Sequence, residues 1–137
     1  MDGQSDLLPK DKHDQEAIER LRKLQPEQLV PLLPELLEWI ADINWPICRD
    51  AIELVLTVPE HVAEPVCKVL QTTDEGWKCN CLDYVVRDLP QEEQQRLRPE
   101  LERIAQNPTL EEIEEETRDT AQEILETIDA DVDMLKS

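Results

Sequence analysis

Four cysteines, two histidines and thirty-three carboxylates are the side chains of this chain whose types could carry chemistry. Their spacing argues against most of it. Cys79 and Cys81 are separated by one residue, whereas paired zinc cysteines usually have two or more between them. On a helix, residues two apart point about 200° away from each other. Cys48, Cys67 and Cys81 fall on or near apolar stripes and read as small buried hydrophobes. His13 and His61 are far apart, and neither belongs to a ligand-spaced cluster. Glu111, Glu112, Glu114, Glu115 and Glu116 read as a solvated face, because an acid/base pair needs two carboxylates in separated environments within one pocket. Glycine occurs only at positions 3 and 76, too few for a phosphate-cradling loop. No Ser/His/Asp arrangement presents itself. The expectation is therefore a protein with no catalytic residues, no metal site and no cofactor.

Binding is the more promising chemistry. The run Lys10-Asp11-Lys12-His13-Asp14 is a mixed-charge segment on an otherwise acidic chain. Lys10, Lys12, His13 and Asp14 are its candidate contact residues, set against a plain reading as a solvated helix start. The aromatic choice is unusual, with three tryptophans, one tyrosine and no phenylalanine. Trp39 is offset from the stripe of Leu36, Leu37 and Ile40, so partial exposure is expected, and exposed tryptophan is a common interface anchor. Asn44-Trp45-Pro46 and Trp77 complete the candidate set. Trp45 and Trp77 also suit a structural role, as wedges between successive helix pairs.

Charge narrows the partners. The net charge is −19. Residues 109–137 hold eleven acids and two bases, so −9 of it sits in the last fifth of the chain. Such a field repels phosphate backbones and anionic membrane surfaces. It attracts basic proteins and favours solubility. The apolar runs are broken by charge every few residues, so no transmembrane span is expected. The N-terminus has no apolar signal region, and the cysteines then read as reduced thiols of a cytoplasmic monomer.

The elements that must position these residues are helices. Asp14 caps a first helix with Ala17, Ile18, Leu21 and Leu24 on its stripe. Pro26 opens a short helix, Pro31 forces a kink or break, and Pro34 opens the next. A turn at Asp42 to Asn44 leads into a helix that takes Pro46 in its first turn and buries Cys48, Ala51, Ile52 and Val55. Residues 60–71 and 75–89 follow as helices, the second capped by Asp74. Residues 91–106 read as two short helices, the second starting at Pro99. Thr109 begins the last helix with a capping box to Glu112. On that helix Leu110, Ile113, Thr117, Ala121, Ile124 and Ile128 are expected to face inward. Residues 1–8 read as a flexible arm, 9–128 as a single domain and 129–137 as a frayed acidic tail.

Three segments repeat: Pro34 to Ile40, Pro65 to Leu70 and Pro99 to Ile104. Their prolines lie 31 and 34 residues apart, and an Asp-led turn precedes a tryptophan helix at Trp45 and again 32 residues on at Trp77. A period near 33 built of helix pairs is the signature of an α-solenoid, in which each pair buries its apolar face on the next. Asp42 to Leu54, with Ile47 and Ala51 four apart, resembles the second helix of HEAT repeats. Cys48 stands where those commonly carry Arg, with Arg49 one place later. From about Leu8 to Ile128 the chain resembles domain-of-unknown-function family 5071, small bacterial-type helical proteins. Leu8 to Asp14, Leu36 to Trp39, Asn44 to Pro46 and Pro99 to Ala105 carry the resemblance. It implies a HEAT-like fold and brings no catalytic residues.

The reading is an all-α, short right-handed α-solenoid of HEAT-like antiparallel helix pairs. Its function is expected to be non-enzymatic protein interaction, through a groove lined by the second helices. The alternatives are an acidic inhibitor of immunity type that neutralises a basic toxin or nuclease and, behind it, an enzyme or metal-binding protein.

Overall fold

The computed structural model of the chain describes residues 8–11 and 14–136, with side chains described as far as Ala130. Lys12 and His13 lie outside the described residues, as do residues 1–7. Among the described residues the structure is helical, without strands.

Asp14 fixes the start of α1 (Gln15–Arg22). Its carboxylate accepts the backbone N–H of Lys10 at 3.0 Å and of Ala17 at 3.1 Å. These two bonds hold its pKa below the ordinary aspartate value. Ala17, Ile18 and Leu21 then face the core. α2 (Pro26–Leu29) passes through a 3-10 turn at Val30–Leu32 into α3 (Leu33–Glu38). Pro31 sits in that turn, so the expected break takes the form of a tightened helix. α4 spans Cys48–Leu56, three residues later than Trp45. The delay has a cause in the backbone: Trp45 N–H bonds to Asp42 C=O at 3.1 Å and Cys48 N–H to Trp45 C=O at 3.0 Å. Two successive tight turns therefore precede α4, and Pro46 lies in them rather than in the helix.

α5 (Ala63–Leu70) carries Pro65 in its first turn, where the missing N–H costs no bond. α6 (Glu75–Tyr84) is capped by Asp74, whose carboxylate accepts Trp77 N–H at 3.1 Å. α6 ends earlier than the expected 89, with a 3-10 turn at Val86–Asp88 after it. α7 (Gln91–Gln106) corrects a second expectation. It runs unbroken through Pro99, where two helices were expected. The ring of Pro99 is exposed, so the carbonyl it leaves without a donor, that of Gln95, is on a face that water can reach.

α8 (Leu110–Glu114) and α9 (Thr117–Lys136) replace the single last helix. The break is at Glu116, which has a positive φ of 64°. α9 continues through 129–136, the segment read from the sequence as an acidic tail.

The helices pack in overlapping pairs. α3 lies on α4 and α5, α5 on α6 and α7, and α9 on α6 and α7. The core runs continuously through them: Leu36, Val66, Leu82, Leu101 and Ala121 are each fully buried. Truncating a leucine in such a core costs about 2–5 kcal/mol.

Pairs are also joined by hydrogen bonds. The end of α3 tightens, with Ile40 N–H donating to Leu37 C=O at 3.0 Å. Trp77 on α6 donates its indole N–H to Leu37 C=O at 2.8 Å. Asn80, one turn on, donates its amide to Ile40 C=O at 3.0 Å and Ala41 C=O at 3.1 Å. α6 thus braces the end of α3 and the turn that follows it.

Candidate functional site

Glu112 is the residue around which the most unusual part of the molecule is built. The capping box is present: Glu112 N–H donates to Thr109 Oγ1 at 3.1 Å, and Thr109 N–H donates to Glu112 Oε1 at 2.8 Å. The sequence shows that much. It does not show that the same carboxylate is fully buried. Lys78 Nζ reaches Glu112 Oε2 at 2.7 Å and Glu75 Oε2 at 3.0 Å. Arg103 grips Glu112 with both terminal nitrogens, at 3.1 and 2.8 Å, and gives its Nε–H to Glu100 at 2.8 Å. Thr117, the first residue of α9, donates its hydroxyl to Glu75 at 2.7 Å. One network thereby ties α6, α7, α8 and α9 together.

Burial by itself would raise the pKa of Glu112. The hydrogen bonds from Arg103, Lys78 and the Thr109 amide outweigh that and hold it down at about 2. The bonds from Glu112 and Glu100 raise Arg103 in turn. Both cations are paired with carboxylates, which makes the network a clamp between helices.

The clamp decides which way α8 faces. On a helix, the residue two before Glu112 lies about 200° round and the one after it about 100° round. With Glu112 inward, Leu110 and Ile113 must turn to solvent, and they are 65 % and 40 % exposed. This corrects the expectation that both face the core and that Glu112 belongs to the solvated face. Only Tyr84 joins them as an exposed large hydrophobic among the described residues. Two of the three therefore sit in one five-residue helix. Around them Glu111, Glu114, Glu115 and Glu116 are exposed, and no ion pair engages them among the described residues. Most arginines, by contrast, are paired: Arg22, Arg87, Arg96, Arg98, Arg103 and Arg118 each meet a carboxylate. The fold leaves Glu111, Glu114, Glu115 and Glu116 without an ion pair among the described residues.

The residues proposed from the sequence fall elsewhere. Lys10 and Asp14 share a shallow depression with Asp11, Gln15, Glu16 and Arg20 at the start of α1. Trp39 is half-buried and meets Trp45 edge to face, with ring centroids 5.5 Å apart. Asn44, exposed beside them, donates its backbone N–H to Asp42 at 2.9 Å. Trp77 points into the pair joint through its bond to Leu37. The structure thus brings Trp39, Asn44 and Trp45 together, and it sets Trp77 to bracing α3.

The cysteines are free thiols. Desolvation pushes Cys81 up to about 12, which makes it a poor nucleophile. Cys79 lies 3.3 Å from the Thr117 hydroxyl and is raised by burial. Among the described residues no group of three or more His, Cys, Asp and Glu side chains is placed to hold a metal ion, and no helix is long and apolar enough to cross a membrane.

Sequence reasoning missed Lys78, Glu112 and Asn80. Lys78 carried a usable signal: it stands three, four and seven residues before Cys81, Leu82 and Val85, on the apolar stripe of α6. A lone cation in that position needs a buried carboxylate partner.

Helices packed around one continuous core, without a strand among the described residues, define an all-helical protein. The chain belongs to the family described as "Domain of unknown function (DUF5071)", whose profile matches residues 7–125. No curated protein matches it.

Proposed function

We propose that this chain is a non-enzymatic protein-interaction module, monomeric and cytoplasmic, built as a short HEAT-like stack of helix pairs. The proline period and the packing of α3 on α5 and of α5 on α7 support the stack. One observation carries the interaction reading. Leu110 and Ile113 are held in solvent by the buried Glu112 clamp, at the energetic cost of an internal ion network. Ordinary amphipathic folding would put the leucine and isoleucine inside and the glutamate out. Exposed apolar anchors fixed on a rigid element are what a partner surface requires. The surface thus lies on α8, at the joint before the last helix, and differs from the groove of second helices expected from the repeat.

Affinity capture with mass spectrometry tests this reading. Wild-type chain and a Leu110→Asp/Ile113→Asp variant serve as baits, with Trp39→Ala as the comparison for the tryptophan cluster. The expected result is a protein retained by the wild type and by Trp39→Ala, and lost from the α8 variant. An unchanged catch with the α8 variant contradicts the assignment.

A further inference from the structure

We propose that the occupant of the α8 surface is a basic, apolar segment of another protein, one that presents leucine-like side chains between lysines or arginines. This rests on the interaction reading above and adds the chemistry of the partner. Three observations carry it. The apolar anchors are Leu110 and Ile113, three residues apart on one helix and both exposed. The carboxylates of Glu111, Glu114, Glu115 and Glu116 surround them in sequence and lack intramolecular ion pairs among the described residues. Thr109 and Glu111, the neighbours of Leu110, help line a depression of about 310 Å³ whose other walls include the clamp's Lys78, Arg103 and Glu112, so the side chain it suits is an apolar one from the partner's stripe.

Charge then chooses among occupants. A second copy of the chain would bring its own −19 to the same place. An acidic segment or an anionic surface would meet four carboxylates with no neutralising group. A basic segment places its cations against them and its apolar residues on Leu110 and Ile113. Complementary charge of this kind speeds encounter and rejects wrong partners, while the buried apolar contact supplies most of the affinity.

The test uses the full chain and three synthetic helical peptides with the same leucine stripe: one filled with lysine, one with glutamate and one with serine. Titration calorimetry or fluorescence anisotropy at low salt reads binding. The lysine peptide is expected to bind, and the glutamate peptide is not. Leu110→Ser/Ile113→Ser weakens the lysine peptide at least about tenfold, the least that losing one buried apolar side chain implies. Glu111→Gln/Glu114→Gln/Glu115→Gln/Glu116→Gln also weakens it and flattens its salt dependence. A charge-matched control, Glu27→Gln/Glu35→Gln/Glu38→Gln/Glu126→Gln, leaves it nearly unchanged. Equal loss in the control and the α8 charge variant overturns the site in favour of diffuse attraction. Tighter binding of the serine or glutamate peptide through Leu110 and Ile113 overturns the basic partner and leaves the interaction surface standing. Absence of binding by all three overturns both.

Discussion

At the scale of single residues, Glu112 does two tasks that the sequence presents as one. As the third residue of a capping box it closes the start of α8. As a buried carboxylate it satisfies Lys78 and Arg103. Removing one member of a buried ion pair leaves the other charge without compensation, so Glu112→Ala is expected to cost about 3–5 kcal/mol in urea unfolding. The pH dependence follows from the direction of the pKa shift. A carboxylate held at about 2 in the folded state, against an ordinary value of 4.5, contributes stability above the ordinary value. That contribution fades as pH falls from 4.5 toward 2. Unfolding midpoints of wild type and Glu112→Gln should therefore differ most at neutral pH and converge as acid is added. A constant difference across that window contradicts the assignment. Lys78 belongs to the same set, and a hydrophobic replacement for it leaves Glu75 without a cation and Glu112 with Arg103 alone.

At the scale of elements, the break between α8 and α9 is the decisive joint. Periodicity legibly identifies Thr117, Ala121, Ile124 and Ile128 as buried, and they are. The same register extended backward places Leu110 and Ile113 inside, and there it fails. Glu116 adopts a left-handed conformation, which resets the phase of the helix. Nothing in five successive acidic and apolar residues marks that position, because the residue that usually marks it is glycine. A left-handed conformation costs a non-glycine residue roughly 1–2 kcal/mol. Glu116→Gly is thus expected to raise stability by about 1 kcal/mol in thermal or urea unfolding, whereas a loss of that size indicates an ordinary helical φ at this position. Pro99 teaches the converse. Proline is a fair sign of a helix start at Pro26, Pro34 and Pro65, but α7 absorbs Pro99 within its span because the ring faces solvent. Pro99→Ala restores a backbone bond and should stabilise by about 1–3 kcal/mol, less the chain entropy that proline had removed. Trp77 joins α6 to the end of α3 through an indole bond, which its place at a helix start does not foretell, and its companion Asn80 left no periodic trace.

At the scale of the whole molecule, a net charge of −19 opposes compaction by self-repulsion. Added salt screens exposed charges and scarcely reaches buried pairs. The melting temperature should therefore rise as NaCl is raised from low ionic strength. A fall would mean that exposed ion pairs such as Arg22 with Asp50 and Arg87 with Glu123 outweigh the general repulsion. The all-helical class, most of the buried stripes and the acidic character follow from spacing and composition. The orientation of α8 does not, since it depends on contacts among residues 75, 78, 103 and 112, which come together only once α6, α7 and α8 pack.

That orientation is the central claim, and paired unfolding measurements test it most directly. Equilibrium urea unfolding of Leu110→Ser/Ile113→Ser and of Glu112→Ala, side by side with the wild type, compares the two faces of one short helix. With α8 turned as described, the double serine variant stays within about 0.5 kcal/mol of wild type, as exposed positions do. Glu112→Ala loses about 3 kcal/mol or more. The opposite ranking, with the serine variant losing several kcal/mol and Glu112→Ala nearly neutral, would return Leu110 and Ile113 to the core and remove the proposed surface.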